Sequence, residues 1–156
     1  MFVQITQTVE TVVRANLDTA YRLARWHFRD KHEAVSVVQE ASLRAFQWLT
    51  TFSAEIDRVR FLRIVSGVCA ERRDQIQAES DRDDRLHRAS DVMEVEKAIR
   101  SLPAHLREVL VLREVEGLSY RELADVMGVP IERVSISLSQ SRQALSRALT
   151  ELLVEV

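Results

Sequence analysis

Glycine and proline are scarce in this chain, with three of one and two of the other in 156 residues. A sequence so poor in turn formers and so rich in Leu, Ala, Val, Glu and Arg argues for helix nearly throughout, so the expected fold class is all-α. The single cysteine, Cys69, rules out an internal disulfide, fits a reducing compartment and reads as a small core side chain. No run of about 18 apolar residues occurs, so no membrane-spanning helix is expected. The opening MFVQITQTVETVV lacks a basic stretch and a small-residue cleavage site, and the expected location is cytoplasmic. Catalytic patterns are missing as well. His27, His32, His87 and His105 show no i,i+4 pairing with a carboxylate base, and neither a Gly-rich phosphate loop nor a nucleophile motif is present. No enzyme activity, metal or cofactor is expected. An excess of positive charge is absent too: 22 Lys and Arg stand against 24 Asp and Glu, so the chain as a whole is not drawn to duplex DNA.

What is present is apolar content of 46%, enough to bury one medium core or two small ones. The composition changes after Asp74. The segment QIQAESDRDDRLHRASDVMEVE, residues 75–96, holds seven acids and three bases and no sustained apolar stripe before Val92, which predicts a flexible acidic linker. Two small helical domains, 1–74 and 97–156, are therefore expected on either side. In the first, helices are predicted over 5–28, 32–50 and 57–74. Val9, Val13, Leu17, Ala20, Tyr21 and Ala24 form the stripe of one, and Ala34, Val38, Ala41, Ala45 and Leu49 that of the next.

The last third is the most informative stretch. Ser119 precedes an apolar-periodic run and has Glu122 three residues on, the pattern in which hydroxyl and carboxylate reciprocally satisfy the first free amides of a helix. Leu123, Ala124 and Met127 share one face, and Gly128 then suits a left-handed stop. After Val129, Pro130 sets φ for a new helix carrying Ile131, Val134, Leu138, Leu145, Leu149 and Leu152 at near-helical spacing. Upstream, Leu102-Pro103 opens a helix through Leu106, Val109, Leu110 and Leu112 that stops at Gly117. Helix, glycine turn and second amphipathic helix form the unit that presents one helix to a DNA major groove.

The wording LPxxxRxVxxLRxxxGLSYxELAxxxGVPxxxVxxxLxxxRxxL, from Ser101 to Leu149, closely resembles region 4 of extracytoplasmic-function (ECF) sigma factors, the two-domain branch of the sigma-70 family. Tyr21-Arg22-Leu23-Ala24-Arg25 and Val38-Gln39-Glu40 followed by Leu43-Arg44-Ala45-Phe46 resemble region 2 of the same family. The resemblance implies a promoter-specificity subunit of bacterial RNA polymerase. It would bind core polymerase through Gln39, Glu40 and Arg44, and residues 1–74 would open the downstream (minus-10) promoter element. The helix from Ile131 would read the upstream (minus-35) element. An anti-sigma factor is the implied regulator.

On that footing the DNA-binding candidates are Arg133, Ser135, Ser137, Gln140, Ser141 and Arg142 of the recognition helix, Arg63, Arg72 and Arg73 of the helix over 57–74, and Trp48. Trp48 belongs to an aromatic group with Phe46, Phe52 and Phe61, flanking the loop from Ser53 to Val59, that could replace base stacking. The chain departs from the family where basic residues are usual: Ser135, Ser137 and Gln140 replace three, and Ser66 and Gly67 replace basic and amide residues. Two readings follow, a working sigma factor and a sigma-like interaction protein that has lost DNA readout and occupies an anti-sigma factor. Ile136, off the buried stripe, is expected to be exposed and suits a thymine methyl or a protein partner.

Overall fold

The computed structural model describes residues 2–52, 56–79 and 94–154, and among these it contains eight α-helices and no strand. They are α1 (Phe2–Ala15), α2 (Leu17–His27), α3 (Lys31–Phe52), α4 (Arg58–Glu79), α5 (Glu94–Arg100), α6 (Ala104–Glu114), α7 (Tyr120–Met127) and α8 (Ile131–Val154). The helix expected over 5–28 is two helices. Asn16 leaves the helical region at φ −118°, and its Nδ2 donates to the Val12 carbonyl at 2.8 Å, a side-chain bond that competes with the backbone ladder. Leu17, placed by periodicity on the buried stripe, is consequently 39% exposed. On α3 the buried line is Ala34, Val37, Ala41 and Ala45, while Val38 sits half-buried beside it. Helix α4 runs beyond Asp74 to Glu79, and α5 begins inside the segment expected as linker. The rest of that linker, 80–93, lies outside the described residues.

Helix α4 organises the core because it is apolar on two sides. Its Phe61, Leu62, Val65, Val68 and Cys69 are all buried, and the helix packs on α2 and α3 and also on α7. One buried cluster therefore runs from Val9, Leu23 and Ala41 through α4 to Leu112, Leu123, Val126, Val134 and Leu138. Each such side chain contributes about 1.5–3 kcal/mol on burial, so the two halves share a single main core. Leu102, Leu106 and Leu110 form a smaller cluster with Ile99 and Leu145 against α8.

Beyond the end of α6, Gly117 at φ 71° turns the chain so that Leu118 N–H donates to the Leu112 carbonyl at 3.0 Å. Ser119 then starts α7 with the expected capping box: Glu122 N–H donates to Ser119 Oγ at 3.1 Å and Ser119 N–H to Glu122 Oε1 at 3.0 Å. Gly128 closes α7 at φ 66°, and Pro130 leads into α8.

The seam between the halves is polar as well as apolar. Arg107 of α6 donates to the Trp26 carbonyl at 3.1 Å and to the carbonyls of Arg100 and Leu102, both at 2.8 Å. Arg100 donates to the Arg25 carbonyl at 3.0 Å, and its guanidinium lies 5.3 Å from the centre of the Trp26 ring. Arg22 makes a forked pair with the nearly buried Glu116, at 2.7 and 3.0 Å. Beside these, both ring nitrogens of His27 are sealed without a hydrogen-bond partner. Burial, reinforced by Arg73 and Arg107, lowers the His27 pKa to about 3. Glu108 is buried against α4, where the Ser66 hydroxyl hydrogen-bonds it, and burial raises its pKa. The Cys69 thiol, buried beside it, is pushed up to about 12, which keeps it protonated and unreactive.

Both neutral groups tie stability to pH, in opposite directions. His27 is neutral in the folded and unfolded chain above 6.5, its ordinary value, and each pH unit below that costs the folded chain up to about 1.4 kcal/mol until about 3. Glu108 favours it below its ordinary value of 4.5 and loses that contribution as pH rises through its elevated pKa. In thermal unfolding, stability should therefore be lost as pH falls from 6.5 toward 3 through His27, opposed by a loss that sets in above 4.5 through Glu108. His27→Leu should flatten part of the acid limb, and Glu108→Gln should raise the melting temperature more at neutral pH than at pH 4; an equal effect at both would contradict the raised Glu108 pKa. Gly128→Ala should cost about 1 kcal/mol from the left-handed backbone, measured by denaturant unfolding. Sterically it meets only the flexible Arg63 guanidinium, 3.4 Å from the added Cβ.

Candidate nucleic-acid interface

Helix α8 turns Val134 and Leu138 into the core and leaves Arg133, Ser135, Ile136, Ser139, Gln140 and Arg142 exposed. Of the recognition-helix candidates, Arg133, Ser135, Gln140 and Arg142 thus stand on accessible surface. Ser137 and Ser141 do not: they are 8% and 0% exposed, and Ser141 Oγ donates to the Leu138 carbonyl at 2.9 Å. As candidates for base contact both are corrected to packing residues, because small side chains at these positions let α8 sit close to the rest of the fold. Arg142 pairs with Glu114 of α6 at 2.9 Å; both partners are more than half exposed, so exchange for a phosphate is inexpensive.

The arginines of α4 divide. Arg63 is exposed and lies beside the Gly128 turn. Arg72 is committed elsewhere: it bonds Glu33 Oε2 at 2.9 Å, Ser36 Oγ at 3.0 Å and Glu40 Oε2 at 2.9 Å. Arg73 has a sealed Nε without a partner and faces His27, Cys69 and Glu108 at the seam. Arg72 is thus not a free phosphate contact, and the Nε side of Arg73 is covered; the sequence showed their charge but not which side of α4 would be covered. Ser66 likewise hydrogen-bonds Glu108 and is only partly exposed. Trp48 is half-buried with the Arg60 guanidinium 4.4 Å from its ring centre, a cation–π stack that occupies one face of the indole. Phe61 is wholly buried and belongs to the core. Ser53–Glu55 of the neighbouring loop lie outside the described residues.

A second surface forms on α3. Gln39 lines an apolar groove of about 470 Å³ with Leu17, Val38, Ser42, Leu43 and Phe46. Leu43 is 64% exposed there. Glu40 and Arg44 lie toward α4 in an ion ladder: Arg44 meets Glu40 at 2.9 Å and Glu71 at 2.7 Å, while Arg72 holds the other Glu40 oxygen. Hydrogen bonds from Arg72 and Arg44 hold the Glu40 carboxyl below its ordinary range. The polymerase candidates are therefore split, Gln39 on the groove and Glu40 with Arg44 in the ladder. The groove itself was missed in sequence, although Leu43 falling off the stripe of Ala34, Ala41 and Ala45 was a usable signal. The described residues contain no cluster of side chains suited to a metal, and none of their helices is long and apolar enough to cross a membrane.

Residues 92–152 match the family described as Sigma-70, region 4. The chain is 30% identical over 152 residues to the ECF RNA polymerase sigma factor SigE of Mycolicibacterium smegmatis, covering 87% of this chain and 59% of that protein. It is 44% identical over 61 residues to the RNA polymerase sigma-H factor of Pseudomonas aeruginosa, covering 39% of this chain and 32% of that one. The chain thus spans between a third and three fifths of the length of these two relatives. Its fold is shared with the sigma factor RpoE of Bartonella quintana, solved in complex with the anti-sigma factor NepR, at a TM-score of 0.70 and 19% identity over 94% of this chain and 97% of that one. It is shared equally with CnrH, solved with the cytosolic domain of CnrY, at 0.70 and 20% over 96% of each chain. The helix-turn-helix at the C-terminus lies inside the region 4 match, and along most of its length the chain is similar to an ECF sigma factor.

Proposed function

We propose that this protein directs bacterial core RNA polymerase to a specific set of promoters. The observation that carries the reading is the α7–turn–α8 unit, which buries Val134 and Leu138 and leaves an open helix face flanked by Arg133 and Arg142. In this reading residues 97–156 engage the upstream promoter element, and residues 1–74 bind polymerase and open the downstream element. The α3 groove around Gln39 and Leu43 takes an apolar element of the polymerase, and the Glu40–Arg44–Arg72 ladder holds α3 and α4 in register behind it. The protein acts in the cytoplasm, performs no catalysis itself and is held in check by an anti-sigma factor, as RpoE was captured with NepR.

The replacement of basic residues by Ser135 and Gln140 favours a second reading, a sigma-like protein that occupies an anti-sigma factor without reading DNA. Each lost phosphate contact removes about 0.9 from the salt slope, so intrinsic DNA affinity is low in either case.

Reconstitution with core polymerase on a promoter pool separates the two. Selective initiation is expected, with Arg133→Ala weakening promoter binding and lowering the salt slope by about 0.9, and Gln39→Ala weakening core binding. Core binding without selective initiation would leave the second reading; no core binding would overturn the first.

A further inference from the structure

The middle of the exposed face of α8 holds Ile136, with Glu132 one turn before it, Gln140 one turn after it and Arg147 farther along. With 100° per residue, Val134, Leu138 and Ser141 define the buried side, and the direction opposite them is held by Ile136, with Ser139 and Gln140 to either side. Arg133 and Arg142 stand outside this strip on opposite flanks. Ile136 is 51% exposed in the middle of α8, well inside the helix that Ile131, itself 43% exposed, begins. An apolar side chain in that place gains nothing from water and cannot bind phosphate.

A helix seated in a major groove turns its central strip to the base edges and its flanks to the two backbones. The one large apolar group on the base edges of the major groove is the thymine methyl, and the group that best pairs with a glutamine amide is the N6/N7 edge of adenine. Resting on the promoter-reading function proposed above, we infer that Ile136 is a specificity-determining residue that selects thymine in the upstream element by contact with its methyl group. Gln140 reads an adenine nearby. Four residues advance α8 by about 6 Å, and base pairs are about 3.4 Å apart, so the thymine and the adenine lie about two base steps from each other. The loss of basic side chains from this helix then has a positive side: less of the binding comes from sequence-blind phosphate contacts and more from base edges.

Thymine and uracil differ by this one methyl, which makes the test direct. The holoenzyme with full-length protein is used to select an upstream element from random duplexes, and each thymine of that element is then replaced in turn by deoxyuridine. At one position the replacement should weaken binding about fourfold, the value of one buried methyl. Ile136→Ala should weaken binding to the thymine duplex and abolish the thymine–uracil difference at that position only, while Ile136→Leu should retain part of it. Equal binding of thymine and uracil duplexes at every position overturns the inference while leaving promoter reading intact, and would assign Ile136 to a protein contact. A difference that persists undiminished in Ile136→Ala overturns it too. Failure to select any element sinks the promoter-reading function and this inference with it.

Discussion

The last carbonyls of a helix have no partner within it, and when the end is buried something else must bond them. At the C-terminal end of α2 those carbonyls, Arg25 and Trp26, accept from Arg100 and Arg107 across the seam. The remainder of the fold depends on this closure. It uses cations at the negative end of a helix dipole, and Arg107 also bonds the carbonyls of Arg100 and Leu102, so α2, α5 and α6 meet at a single guanidinium. Crowding of Arg107 by burial and by Arg100, Arg73 and Arg29 lowers its pKa to about 10, still well above neutrality, so the closure stays charged. With α6 placed this way, α7 lands on the second apolar side of α4 and the two halves share one core.

The same closure leaves two titratable groups at the seam with displaced pKa values, His27 lowered and Glu108 raised. His27 lies at the end of α2 among arginines that repel a second positive charge, and Glu108 is buried against α4, where the Arg73 charge only partly offsets the effect of burial. Neither group bonds well enough to be worth much to stability: His27 has no hydrogen-bond partner at either nitrogen, and one carboxyl oxygen of Glu108 has none. Such groups are better suited to making the seam sensitive to its surroundings than to strengthening it. Docking of the halves does not cover the outward face of α8, since Ile136, Ser139 and Gln140 stay accessible. What docking sets is the distance between that face and the α3 groove, and it keeps Arg63 against the turn before α8.

Much of this was legible in the sequence because the signals are local. The capping box at Ser119, the stops at Gly117 and Gly128 and the start after Pro130 each follow from a few neighbouring residues, and all appear in the structure. The break at Asn16 was hidden because periodicity runs through it, and a side-chain bond to Val12 decides it. Arg72 and Arg73 looked like a pair of phosphate contacts because sequence shows charge but not direction; one entered an ion ladder and the other the seam.

Sequence alone determined the all-α class and the helix-turn-helix, because propensity, capping and turn chemistry act over a few residues and are written in order along the chain. Tertiary structure alone decided that both halves share one core, that Ser137 and Ser141 are packed while Ile136 is open, and that His27 and Glu108 meet the same seam. Those outcomes depend on which faces of α2, α4 and α6 cover one another, and that is settled by burial and carbonyl closure between residues some eighty positions apart, such as Trp26 and Arg107.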